Sequence, residues 1–152
     1  MQGLAINNFS DGVDFMIATR YLEFETCSGD TRNITEDVRR AVAGSGITAG
    51  LATVFVPGAT AAIITIEYED GLVNDLWNAL ERLIPQKIEY LHNLRWQDGN
   101  GHSHIRASIL GPSLTVPFDT HGLMLGTWQQ IVFLELDNRS RKRKVIVQMI
   151  GE

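Results

Sequence analysis

Asp98-Gly-Asn-Gly-His-Ser-His-Ile-Arg-Ala-Ser-Ile-Leu-Gly-Pro-Ser113 is the stretch on which the fold turns. Taken as a glycine-rich loop feeding a strand over residues 104–110, it makes the second half of the chain all-β. On an extended chain, side chains two apart leave the same face. His102 and His104 then aim at one point, and Arg106 and Ser108 continue that face. Neutral imidazole is a common ligand for zinc-like metals and a ready acid or base near neutral pH. The plainer alternative is a polar strand entrance beside glycines.

Downstream, residues 113–118, 123–125, 129–136 and 144–150 are strand candidates, with the basic turn Asn138-Arg-Ser-Arg-Lys-Arg143 before the last. Upstream, residues 1–18 form a lead-in. In residues 19–26, Leu22 and Phe24 alternate with Glu23 and Glu25, as in a strand with one wet face. Cys27-Ser-Gly-Asp30 is a turn. Asn33 stands three residues before Glu36 like a capping box, with Ile34, Val38 and Val42 at helical spacing after it. Residues 51–56 and 61–68 are nearly continuous apolar runs, the pattern of strands covered on both faces. Leu72, Leu76, Leu80 and Leu83 line a second helix closed by Pro85, with Trp77 as packing beside the stripe. Mixed elements early and strands late predict an α+β domain, mainly antiparallel, with two principal helices.

The chain has 152 residues, enough for one domain with a real core. A net charge of -5 argues against general nucleic-acid binding, which needs many phosphate-neutralising Lys and Arg. No apolar run approaches a membrane span, and no secretory leader pattern opens the chain. The single cysteine, Cys27, excludes an intrachain disulfide and fits a reducing compartment, so a cytoplasmic protein is the expectation.

Three groups of carboxylates stand out: Glu67, Glu69 and Asp70 after an apolar run, Asp98 in the glycine loop, and Glu135 within Phe133-Leu-Glu-Leu-Asp137. Glu67 at a strand end is either a tuned acid/base or paired, whereas Asp70 suits a helix N-terminus. Glu135, among apolar neighbours, needs an arginine or a metal. The basic turn is either a solvated hairpin or an anion site, since Arg contacts phosphate bidentately.

Taken together, Ala61-Ala-Ile-Ile-Thr-Ile-Glu67, Leu83-Ile-Pro85, Tyr90-Leu-His92, His102-Ser-His-Ile-Arg-Ala-Ser-Ile-Leu-Gly-Pro-Ser113, Gly126-Thr-Trp-Gln129 and Gly151-Glu152 resemble the YjbQ-like family over residues 19–152. The resemblance implies a compact α+β domain that assembles as a homotrimer, with polar clefts near subunit boundaries. It also implies a secondary thiamine-phosphate synthase activity, in which a pyrimidine pyrophosphate joins a thiazole phosphate and pyrophosphate leaves. Position by position, the family's motif histidine falls on His104, its upstream acid or amide on Asp98 and Asn100, and its strand-end glutamate on Glu67. Its Tyr-x-His histidine falls on His92 and its later strand glutamate on Glu135. Many relatives carry His-Thr-Ser/Thr-Ala where this chain has Gly58-Ala-Thr-Ala61, and many lack a histidine at the position of His102.

These residues suggest a catalytic set of His104, Glu67 and Asp98, and a divalent zinc or magnesium ion held by His102, His104, His92 and Glu67. A small phosphorylated metabolite would be bound by Arg106, Asn100, Ser108, Trp128 and Gln129. A non-catalytic ligand- or metal-binding trimer and a metal-dependent hydrolase are the rival readings.

Overall fold

The structure, a computed structural model, describes residues 15–152; residues 1–14 of the expected lead-in over 1–18 lie outside them. Its architecture is α+β, built on two antiparallel sheets. In the larger sheet, β1 (Met16–Thr26) pairs along its full length with β8 (Arg141–Gly151). Next come β3 (Gly50–Phe55), β5 (Ser113–Asp119) and the short β6 (Gly122–Leu123), in the order β1-β8-β3-β5-β6. The smaller sheet has β7 (Gln130–Glu135) between β2 (Thr31–Asn33) and β4 (Ala61–Ile66). β1 begins at Met16, three residues before the strand expected from residue 19. β2 was not anticipated, because three residues are too few to show a period.

The two apolar runs are covered unequally: β4 is buried on both faces over Ala61, Ala62 and Ile63, whereas β3, expected to be covered on both, alternates, with Ala52 and Val54 inside and Leu51 46% exposed. Ile131 and Phe133 of β7 enter the main core with Val54, Val145, Val147 and Met149. Val132 and Leu134 face the other way, into a second cluster with Leu80 and Ala107. A strand covered on both faces has no reason to alternate. β8 does alternate: Arg143, Val145, Val147 and Met149 point inward, while Lys144, Gln148 and Ile150 are exposed.

α1 (Thr35–Ala43) closes the main core with Val38, Ala41 and Val42. Asn33 acts at its start, but one step off the capping-box register. The N-cap position is Ile34, and Asn33 Oδ1 accepts from the Thr35 N–H at 3.0 Å and its hydroxyl at 2.7 Å. α2 (Asp70–Leu83) is capped by Glu69, whose carboxylate accepts from the Gly71 and Leu72 N–H groups. Glu69, rather than Asp70 or Glu67, therefore meets the unpaired donors of that helix end. Trp77 does pack beside the leucine stripe, and its Nε1 donates to Thr31 Oγ1 at 2.8 Å.

The main correction lies at the stretch quoted first. Residues 104–110 are not a strand, and the region after residue 90 is not all-β. Two further helices stand there: α3 (Leu91–Trp96) and α4 (Gly101–Leu110). Ser103, Arg106 and Ala107 are buried and Leu110 packs behind them, a spacing of three and four that belongs to a helix. Asn93 of α3 supplies the missing acceptor at the start of α4, taking the Gly101 N–H at 2.8 Å. Gly101 is required there, since a Cβ would lie 2.6 Å from Tyr90 Cβ. No helix among the described residues is long and apolar enough to cross a membrane.

Candidate metal centre

α3, its following loop and α4 bring together three side chains that are separated in sequence. His92 lies in the first turn of α3, Asp98 in the loop and His104 in the first turn of α4. Between them the chain reverses through Gln97, at φ 53°, and Gly99, at φ 67°. His92 Nε2 and Asp98 Oδ2 are 3.3 Å apart, and the His92 and His104 ring centroids are 4.5 Å apart. One potential ligand atom from each of the three lies within 4.8 Å of the others, and among the described residues no other such cluster forms. The three side chains are half-buried.

The Asp98 carboxyl is held below the usual carboxylate range, chiefly by the Asn100 backbone N–H, which donates to Oδ1 at 3.1 Å. Partial burial works against this, and His92 adds to it. A carboxylate ionised at neutral pH beside two imidazoles fits a divalent ion, since ligands must be deprotonated to bind. Two nitrogens and one oxygen suit zinc better than magnesium, which prefers oxygen donors and a full octahedron. Three half-buried side chains serving as ligands would also leave a coordination position open.

His102 and Glu67 do not join this group. Along a helix, residues two apart point about 200° away from each other, so the shared face expected for His102 and His104 is lost. His102 turns inward instead. It is 4% exposed, tilted against the Tyr90 ring, and its Nε2 lies 3.2 Å from Ser103 Oγ. Its Nδ1 has no hydrogen-bond partner among the described residues. Burial and the nearby Arg106 cation lower its pKa, favouring the neutral ring. Glu67 is exposed just beyond β4.

The expected phosphate ligands are scattered too. Arg106 is 1% exposed and held internally: Nε and Nη2 donate to the Ile84 carbonyl at 3.0 and 2.6 Å, and Nη2 meets Glu81 at 2.7 Å. It is a clamp from α4 to the C-terminal end of α2, where a cation complements the helix dipole. Asn100 is buried and accepts the Asn138 N–H at 3.3 Å. Ser108 is exposed, with its hydroxyl bonded back to the His104 carbonyl at 2.8 Å. Trp128 is exposed, and Gln129 accepts from the Gly126 N–H while lining a groove of about 480 Å³ between β4 and β5.

Glu135 has the arginine partner that its sequence setting demanded. Arg143 grips it bidentately, Nε to Oε2 at 2.7 Å and Nη2 to Oε1 at 2.5 Å, and Thr26 adds a 2.6 Å bond. Asp137, fully buried, takes Arg141 at 2.6 Å and Thr60 at 2.9 Å. Burial pushes the Asp137 carboxyl upward, but Arg141 and Thr60 outweigh it and the net shift is downward. Glu-x-Asp followed by Arg-x-Arg was the visible signal for this network. Alternate residues of two segments joined by a turn can share one face.

The comparisons agree with this architecture. The sequence profile described as "UPF0047 protein YjbQ-like" matches residues 20–152. A UPF0047 protein of Archaeoglobus fulgidus is 39% identical over 118 residues, covering 78% of this chain and 89% of its own length. One from Methanothermobacter thermautotrophicus is 40% identical over 120 residues, covering 79% and 82%. Among solved structures, a "YbjQ-like protein of unknown function" from Sulfolobus solfataricus superposes with a TM-score of 0.81 at 31% identity, covering 90% of this chain and all of that one. An uncharacterised YjbQ/UPF0047-family protein from Clostridium acetobutylicum gives 0.74 at 36% identity, covering 84% and 98%. The chain belongs to the UPF0047 YjbQ-like family.

Proposed function

We propose that this protein is a small cytoplasmic enzyme that binds one divalent ion, zinc in the first instance, at His92, Asp98 and His104 and acts on a phosphorylated metabolite. The convergence of those three ligand atoms within 4.8 Å carries the reading. Bound there, a divalent ion supplies positive charge where an anionic leaving group develops. The thiamine-phosphate synthase reaction implied by the resemblance, which expels pyrophosphate, has that need. Asp98 serves as the ionised anchor, and the two imidazoles fix the site between α3 and α4. With Arg106 buried, an exposed cation such as Arg139 of the basic turn, 62% exposed, would have to meet a phosphate.

Metal analysis of protein purified without added metal, a zinc thermal-shift titration and a thiamine-phosphate synthase assay test the proposal. We expect one ion per chain and a zinc-dependent rise in the melting temperature. Absence of both would overturn the metal reading. Three ligands with an open position also suit a metal-dependent hydrolase. Zinc binding with phosphate-ester hydrolysis and no synthase activity would favour that chemistry.

We also propose a homotrimer, with the number taken from the family resemblance. Leu83, Leu91, Leu94, Trp96 and Ile109, on α2, α3 and α4, are large apolar residues left exposed on the single chain. Assembly would take such residues out of water. Light scattering should give three times the chain mass of 16.9 kDa. A mass equal to one chain would refute assembly.

A further inference from the structure

Two asparagines fasten the loop that carries Asp98. Asn138 Nδ2 donates to the Asp98 carbonyl at 2.8 Å, while the Asn138 backbone N–H donates to Asn100 Oδ1 at 3.3 Å. Each side chain thus bonds the other segment's backbone. The two ends of this clamp differ in kind. Asn100 is buried at 2% exposure, and its own N–H donates to Asp98 Oδ1 at 3.1 Å. Asn138 is exposed but follows Asp137, which the Arg141 and Thr60 contacts hold rigidly in the interior.

The segment between Gln97 and Gly101 therefore leans on the turn that follows β7. Gln97 and Gly99 both have positive φ, so this reversal is a tight path rather than regular structure. A carboxylate on such a path keeps its direction only if the backbone beneath it is tied down. Asn138 is the side chain that ties it at the Asp98 carbonyl.

We propose that Asn138 is a positioning residue for the His92–Asp98–His104 centre, acting through the Asp98 carbonyl and the clamp with Asn100. This rests on the metal reading above. Outer partners of this sort orient the groups that touch the ion, and their loss typically weakens metal binding about 10–100-fold. Asn138 touches none of the three ligand side chains through a hydrogen bond of its own, so its effect is indirect.

The test compares wild type, Asn138→Ala and Asn138→Gln by zinc competition against a chromophoric chelator, together with amide hydrogen exchange at Asn100 in metal-free protein. We expect Asn138→Ala to weaken zinc binding at least about tenfold. Asn138→Gln, which keeps an amide donor, should recover part of that loss. The metal-free melting temperature should stay the same, because the side chain is exposed and adds little packing. The Asn100 N–H, bonded to Asp98 Oδ1, should exchange faster in Asn138→Ala. Equal zinc affinity in wild type and Asn138→Ala overturns the proposal. If wild type itself binds no zinc, the metal reading fails, and exchange at Asn100 decides alone: faster exchange in the variant supports the positioning role, and an unchanged rate overturns it.

Discussion

Arg143→Ala is expected to lower the unfolding free energy by about 3–5 kcal/mol, the usual cost of removing one member of a buried ion pair. The side chain is 9% exposed and faces Glu135, which is 0% exposed. Its Nη2 also donates to Thr60 Oγ1 at 3.0 Å. Alanine would leave the Glu135 carboxylate with only the Thr26 hydroxyl and the Asp137 N–H as donors. A charge in that setting is costly because the surroundings cannot resolvate it. Replacing both partners, as in Glu135→Leu with Arg143→Met, should cost less than Arg143→Ala alone, since no unpaired charge remains. Urea unfolding of the two variants decides the matter, and a loss under about 1 kcal/mol for Arg143→Ala would mean the pair is not a stabilising unit.

The same network sets the acid response. The Asp137 carboxyl is depressed in the folded protein, against its burial, by Arg141 and Thr60. A depressed folded pKa gives stability that is fully present above the unfolded value, about 3.9, and is lost as pH falls through the folded value. Urea midpoints should accordingly fall on going from pH 7 to below about pH 4. Arg141→Ala should reduce that fall, because the depression it removes is one source of the dependence.

Much of this fold was legible because burial writes simple patterns. Ala61 to Ile63 reads as part of a doubly covered strand, and it is one. The leucine stripe of α2 announced a helix, yet Leu80 alone is deeply buried, while Leu72 and Leu83 remain exposed on the single chain. A stripe shows that a face is apolar without showing what covers it. The region from 91 to 110 was misread because His-Ser-His-Ile-Arg-Ala-Ser-Ile-Leu satisfies a period of two as well as one of three to four. Tertiary contacts decide between them. The start of α4 is completed by Asn93, and Arg106 finds its acceptor on Ile84, 22 positions back. Neither partner is visible locally.

That single change of period rearranged the candidate site. His92 and His104 were named as metal ligands with His102 and Glu67, and Asp98 was named beside His104 in the catalytic set; the helix brings these three together while sending His102 inward. The same limit applied to Arg106. A guanidinium in a sequence shows charge, not whether a carbonyl and a carboxylate already hold it.

His104→Ala is expected to weaken zinc binding by more than about 100-fold and to abolish any metal-dependent activity, with the fold intact. Removing one of three ligands costs more than removing an outer partner, whose loss is about 10–100-fold. His104 is half-buried, and its ring rests on His92 rather than in either apolar cluster. Its loss therefore opens no deep cavity. His102→Ala should behave in the opposite way, lowering stability while sparing metal affinity, because that ring is buried against Tyr90 and lies outside the ligand group. Asp98→Asn keeps an acceptor for the Asn100 N–H but removes the charge, so it should weaken zinc binding without unfolding the loop. Chelator competition and thermal melts on the three variants give a pattern that a purely structural cluster cannot produce. If His104→Ala lost more than about 2 kcal/mol of stability and still bound zinc like wild type, His104 would be a hydrogen-bonding residue of the fold. The metal centre would then have to be sought elsewhere.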